Sequence, residues 1–543
     1  MRIKSILSLC FAAASLTALA QTHAEGVEYY EADQLHNAKE LLQRNLNNPG
    51  TDKAVAYYYQ GMIALRENNP AEAAAFFEKG CQANPDNAYN FIGLGQISLA
   101  NGDLKVAENN FKEAEKLGKK DPGVEIAIAR AYDAVNPETY AKEIEKRLAK
   151  ARKISMEDPD SYIFEGDRLA RVKDWGAAGA KYEMAINYAP NASAAYVKYA
   201  NLFTQVNPEY AINMLKRLLQ VNPESALGQR ALANAYYQNN QYKEAAEEYG
   251  KYVKNPNHFK QDENRYAFLL FYDGKFQDGY NYASQLLASD PGNFSAMRYQ
   301  FMNAAQIKDM GDKLLPMAEA LWASHKADPA NRKFVPIDYI LVAQELSDAK
   351  KGDEAVAVLQ NAMTEMPDNA SFPKQLALTY VDLNKMPEAS QAYDRYLEIA
   401  DETGYNDFIQ AALYAFFAGV QQKTDNPSEA DQYFSKTADF ANKAKAILPD
   451  NYKPVKILGD IDLQKASKEQ VASAAQPRYE EAIVLLENAK DPSRYASDAK
   501  VMYNYLGNYY LDQKDVATAK KYFEKYLLLD PNNADYRKFV DGL

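Results

Sequence analysis

Between Val501 and Pro531 apolar residues recur at helical spacing, break off, and recur again. Tyr503, Leu506, Gly507 and Tyr510 fall on one face of a 3.6-residue period. After the polar turn Gln513-Lys514-Asp515, a second stripe follows at Val516, Ala519, Phe523 and Tyr526. The pattern predicts two short amphipathic helices joined by a turn and closed by Pro531. Gly507 and Ala519 are small enough to let the two helix backbones approach closely, while Tyr503 and Phe523 are large enough to reach a neighbouring pair.

The same pattern recurs along the chain. Gly61 and Gly95, Ala73 and Ala107, and Phe77 and Phe111 are all separated by one and the same interval. The stripe continues through Tyr162, Gly166, Ala178 and Tyr182, then Tyr196, Ala200 and Ala211, then Leu232, Ala233, Tyr236, Ala245 and Tyr249. Further on it passes through Ala267, Leu270 and Ala283, and through Leu376, Ala377, Tyr380, Ala389 and Tyr393. Asn101-Gly102-Asp103 and Asn239-Asn240-Gln241 supply turn breakers just ahead of second helices. This arrangement resembles the tetratricopeptide repeat, a helix-turn-helix unit of about 34 residues with small residues at its close approaches and a closing proline. The resemblance implies an all-α fold, a right-handed α-solenoid of about a dozen stacked repeats. It also implies a role in holding a protein or peptide partner.

Residues 25–291 read as a first array and 336–531 as a second. The small residues between 292 and 335 lie off their usual positions, and Pro316 falls inside a predicted second helix, which makes this repeat degenerate and a place for the array to kink or divide. Other stretches also depart from the plain pattern. The repeat between Gly123 and Pro159 is stretched by a charged second helix, and residues 401–476 carry insertions, notably a small, polar loop from Lys465 to Gln476. Tyr29 to Pro49 reads as a lone second helix, with Leu35, Ala38 and Leu42 on one side, that covers the first full repeat. Residues 532–543 read as a capping helix that turns Tyr536, Phe539 and Val540 toward the last repeat.

The first twenty residues change the picture of where the chain works. Arg2 and Lys4 precede an apolar run from Ile6 that ends in Ala18-Leu19-Ala20, the pattern of a secretory signal peptide (1–20) cleaved before Gln21. No later stretch reaches the roughly 20 apolar residues that cross a bilayer. Removing the signal leaves 60 Lys and Arg against 74 Asp and Glu, a balance of −14, which repels nucleic acid and anionic lipid. Cys81 is then the sole cysteine, so no internal disulfide forms, and a bacterial periplasm fits better than a disulfide-rich exterior. Cys81 itself reads as a small core residue on a second helix.

The sequence offers no motif for reactive chemistry. His23, His36, His258 and His325 are scattered without a second ligand at helical spacing, and there is no GxSxG, HExxH or glycine-rich phosphate loop, so neither metal nor cofactor is expected. Pairs such as Glu247-Glu248 and Glu480-Glu481 read as solvated helix faces. Most of the 41 tyrosines fall in packing register, including Tyr57, Tyr162, Tyr196, Tyr339 and Tyr503 at the large first-helix position.

In tetratricopeptide proteins the first helices line the concave face, and that resemblance selects Asn201, Arg230, Asn234, Tyr237, Asn264, Phe268 and Phe271 as a candidate groove. Arg230 followed four residues on by Asn234 resembles part of a clamp for a peptide carboxylate, although Arg265 stands where the motif would place its next asparagine. The sequence thus points to a non-enzymatic, periplasmic scaffold for a protein or peptide partner in the cell envelope. A solenoid that receives a small ligand or glycan for an uptake or assembly system is the alternative.

Overall fold

A computed structural model describes residues 21–543, and the predicted signal segment lies outside them. Among the described residues the regular elements are all helical and no strand occurs. The helices come in antiparallel pairs, such as Lys53–Arg66 with Pro70–Ala83, Ala88–Ala100 with Leu104–Leu117, and Ala496–Asp512 with Val516–Leu529. Within each part of the chain, pairs pack on their neighbours in chain order, the arrangement of an α-solenoid.

Local chemistry sets the ends of these helices. Many first helices start on a short polar side chain that accepts from their opening amides: Asp52, Asn87, Asp121, Asp158, Ser225 and Asn451 all do so. In many pairs the turn carries one residue at positive φ. Asn68 and Gly102, Asn240 and Gly274, and Lys350 and Asn384 hold this position one repeat apart, so the left-handed turn returns with the fold.

Packing follows the small residues. A side chain at Gly61 or at Gly93 would overlap the ring of Phe77, which is fully buried between those two first helices. Gly95 meets Phe111, Gly166 meets Tyr182 and Gly507 meets Phe523 in the same way. The recurrent glycine is the recess into which the second-helix aromatic fits, so its constraint is volume.

The contacts divide the chain into two compact units, one ending at Ser289 and the other beginning at Asp290. In the first, the N-terminus differs from expectation. In place of a lone second helix over Tyr29 to Pro49 there is a full hairpin, His23–Glu31 and Leu35–Asn45. Its first helix packs on Lys53–Arg66 and also on Ser193–Phe203 and Ala226–Gln238. Tyr29 is fully buried edge-on against Phe259, with ring centroids 5.3 Å apart. Asn45 donates to Asn257 Oδ1 at 3.2 Å, and Arg44 donates to the His258 carbonyl at 3.0 Å. The repeats of this unit therefore curl until their inner face closes on the chain's own first hairpin. The repeat after Gly123 also departs from its reading: its second helix, Ala141–Ile154, has the ordinary 14 residues, and the extra length sits in loop 136–140. Cys81 is half-buried on Pro70–Ala83 and not part of the core.

In the second unit Pro316 lies inside the helix Gly311–Ala327. The stretch 401–476 is taken up by two long helices, Tyr405–Gln422 and Pro427–Ile447, and by Tyr452–Lys465. The segment read as a loop to Gln476 contains the single helical turn Val471–Ala474, and Gln476 already opens the next helix. His325 is a core residue here, bonded through Nδ1 to the Arg332 carbonyl and through Nε2 to Tyr339, and stacked on Phe334. The chain ends in the helix Ala534–Asp541, where Tyr536 and Phe539 meet the Phe523 ring edge-on.

Candidate functional site

The groove residues selected from sequence lie on neighbouring first helices, but the structure uses two of them internally. Arg230 sits on Ala226–Gln238, and its Nε donates to Asp262 Oδ2 at 2.6 Å. A further nitrogen donates to Gln34 of the N-terminal hairpin at 3.2 Å, and the guanidinium lies 5.1 Å from the centre of the Phe259 ring. Asp262 belongs to the first turn of the next helix, Lys260–Tyr272, and is buried. The guanidinium is thus already forked onto the protein's own carboxylate. A clamp for a peptide C-terminus is not met, because the charge that would hold it is spent within the fold.

Asn234 Oδ1 accepts from Arg265 at 2.8 Å and from the Tyr249 hydroxyl at 2.5 Å. Arg265 also lies 5.2 Å from the Tyr237 ring centre, and Tyr237 meets Phe268 edge-on. Tyr237 and Asn234 are therefore gathered around Arg265, the residue outside the clamp pattern, with Phe268 behind Tyr237. Phe271 instead contacts Tyr272 and Phe276, Asn201 is exposed, and the Asn264 Oδ1 is buried without a hydrogen-bond partner among the described residues.

A partly enclosed space lies elsewhere in the first unit, between the N-terminal hairpin and the first helices that follow it. A cavity of about 100 Å³ is lined by Tyr30, Glu31, Tyr58, Tyr59, Tyr89, Arg130, Asp160 and Lys198 among others. It shares Tyr30, Asp33, Met62, Arg66, Arg130 and Asp167 with a cleft of about 470 Å³, which continues to Asn68, Gln96, Phe164 and Arg171. Ion pairs stitch the walls across repeats. Arg66 holds Asp33 at 2.8 Å, Arg130 holds Asp167 at 3.3 Å, and Lys198 bridges Asp33 and Asp167.

Burial shapes the acids of this region. It pushes Glu31 upward, and the Asp160 carboxylate adds to the effect. Asp160 is itself raised by burial against the opposing pull of Arg130. The sequence carried a signal for this site, since Asp133 and Asp167 stand one repeat period apart on first helices. On an exposed helix such charges read as a solvated face, and only the closure of the unit turns that face inward.

One consequence concerns the docked hairpin. Glu25 is pushed from 4.5 to about 8, first by burial and then by Glu28, with the Ala226 and Leu227 amides opposing. Its Oε2 is buried without a hydrogen-bond partner among the described residues. Since the folded value lies above the unfolded one, docking keeps its full strength below the ordinary carboxyl range and loses it as pH rises through about 8. The melting temperature of the first unit is expected to fall between about pH 5 and about pH 8, and Glu25→Gln to flatten that slope. An unchanged slope in the variant would assign the dependence to other groups.

Three tetratricopeptide-repeat family profiles match the chain, at residues 23–88 and 201–258, at 346–413, and at 502–533. The matches fall in both units, and the first includes the N-terminal hairpin. No curated protein matches. Among solved structures, the chain is similar to the C-terminal part of a TPR repeat-containing protein from Cytophaga hutchinsonii, at 16% identity and a TM-score of 0.41, over 52% of this chain and 99% of that one. It is also similar to pilF of Pseudomonas aeruginosa, at 17% identity and a TM-score of 0.28, over 40% of this chain and 97% of that one. A thermophilic TPR protein of Thermus thermophilus is similar at 14% identity and a TM-score of 0.25, over 38% and 98% of the two chains.

Proposed function

The chain is a tetratricopeptide-repeat protein, a family whose repeats in general serve as protein-binding scaffolds, and on that premise we propose that it holds a polypeptide segment on the inner surface of its first unit without acting as an enzyme. The cleft of about 470 Å³ carries this reading. Its floor is apolar, with Met62, Leu65 and Phe164. Its walls carry Asn68 and Gln96, whose amides can bond a peptide backbone, and the partly exposed guanidinium groups of Arg66 and Arg171. Side chains from several successive first helices thus meet in one concave strip, the form that suits an extended chain. Tyr237 and Phe268, half-buried on later first helices, lie outside the residues that line this cleft, and Arg230 and Asn234 are bonded within the fold.

The place of action proposed is the periplasm. The basic start, apolar run and Ala18-Leu19-Ala20 of the first twenty residues support it. Cell fractionation with N-terminal sequencing checks it: a periplasmic chain beginning at Gln21 is expected, and a cytoplasmic chain that keeps Met1 would overturn it.

The scaffold reading is tested by a photo-crosslinking residue placed at Arg171, in the cleft, and in a second protein at Lys116, an exposed position on the second helix Leu104–Leu117. Irradiation in living cells is expected to give a discrete polypeptide adduct from position 171 and none from 116. Adducts from 116 alone, or from neither, would refute binding in the cleft.

A further inference from the structure

The smaller cavity of the first unit contains one carboxylate more than its own cations match. Glu31, Asp33, Asp160 and Asp167 line it against Arg66, Arg130 and Lys198. Asp33 and Asp167 are fully engaged by those three cations. Glu31 has only a long bond from the Tyr59 hydroxyl, at 3.4 Å, and Asp160 makes no hydrogen bond or ion pair among the described residues. Arg130 is near enough to act on both, yet its hydrogen bond goes to Asp167. Two enclosed carboxylates so placed repel one another and draw in either a proton or a cation.

The walls say which kind of cation. Tyr30 and Tyr58 each meet Tyr59 edge-on, with ring centroids 5.1 and 5.0 Å apart, and Tyr58 lies 5.4 Å from Tyr89. Aromatic faces attract an organic cation and shelter the alkyl chain that carries it, which they cannot do for a hydrated metal ion. The cavity opens into the cleft through six shared residues, and about 100 Å³ admits the end of a side chain but not a folded element.

We propose that this cavity receives the ammonium group of a lysine side chain from the polypeptide held in the adjoining cleft, with Glu31 and Asp160 as its charge partners and the tyrosine rings around its methylene groups. The assignment of lysine rests on the scaffold reading above; the ammonium site itself does not. The ammonium donates to the free carboxylate oxygens, which removes the excess negative charge without opening the existing Asp33 and Asp167 pairs.

The test uses the whole chain from Gln21 onward and four probes followed by NMR titration: n-butylammonium, n-butanol, and a blocked Gly/Ser heptapeptide with a central lysine or a central glutamine. The expected result is that n-butylammonium binds where n-butanol does not, and that the lysine peptide binds more tightly than n-butylammonium and than the glutamine peptide. Asp160→Asn and Glu31→Gln are each expected to weaken the lysine peptide by about tenfold. Equal binding of n-butylammonium and n-butanol overturns the site in the unaltered protein, whatever the variants do. Folded variants that keep full affinity overturn the two carboxylates as its charge partners. Free n-butylammonium held as tightly as the lysine peptide overturns the lysine assignment and leaves a small-amine site. A crosslink from position 171 combined with indifference to lysine sinks this inference and spares the scaffold, whereas ammonium binding without that crosslink sinks the scaffold together with the lysine assignment and leaves the ammonium site alone.

Discussion

Phe77→Ala is expected to lower the stability of the first unit by roughly 3–5 kcal/mol, among the largest effects of any single substitution in the chain. The ring is fully buried and is clasped on two sides, by Gly61 of its own repeat and Gly93 of the next. Its removal empties a space that two helix pairs share, and neither can collapse into it without breaking its own register at Ala73 or Ile92. Phe77→Leu keeps more of the volume and is expected to cost less. Gly61→Leu attacks the same contact from the other side by overfilling it. Chemical denaturation followed separately in the two units checks this, with the transition of the first unit moving and that of the second staying in place. A loss below about 1 kcal/mol for Phe77→Ala would mean that the aromatic and glycine positions are not the joints of the stack.

Asp262→Ala is expected to cost a similar amount, roughly 3–5 kcal/mol, by a different route. The Asp262 side chain is 3% exposed and that of Arg230 14% exposed. Without the carboxylate, a guanidinium stays buried against Phe259 with Gln34 as its remaining hydrogen-bond partner. The double replacement Arg230→Met with Asp262→Leu is expected to recover most of the loss, because what destabilises is the stranded charge and not the absence of the pair. A double-mutant cycle by denaturation measures this coupling. Capture of a partner separates the structural role from a binding one. If Arg230 gripped a partner carboxylate, freeing it from Asp262 would strengthen capture, whereas the expected result for the folded fraction is no gain.

These two experiments address the two kinds of information in the chain. Gly61, Phe77 and Ala73 are visible from sequence because each repeat makes the same contacts with the next, so the same residue types return at the repeat interval. The capped helix starts and the positive-φ turns at Asn68, Gly102, Asn240 and Gly274 obey the same rule. Register places Arg230 and Asn234 on a first helix, and both lie on Ala226–Gln238. What the register does not reveal is that Asp262 and Arg265 of the next helix already occupy their polar atoms.

Outside the N-terminal hairpin and the stretch before Gln476, sequence alone determined the helices, their pairing, the close approaches between them and the set of side chains on each first helix, because all of these depend on neighbours within one repeat or the next. Tertiary structure alone decided which first helices face a closed space. Ser225 bonds Glu28 across 197 residues, and Lys198 bonds Asp33 across 165. Such contacts depend on small rotations added up over several repeats, and no local pattern records that sum. The same accumulated curvature carries Glu31 and Asp160, unremarkable acids on polar helix faces, into an aromatic cavity where water screens them less than on an open face.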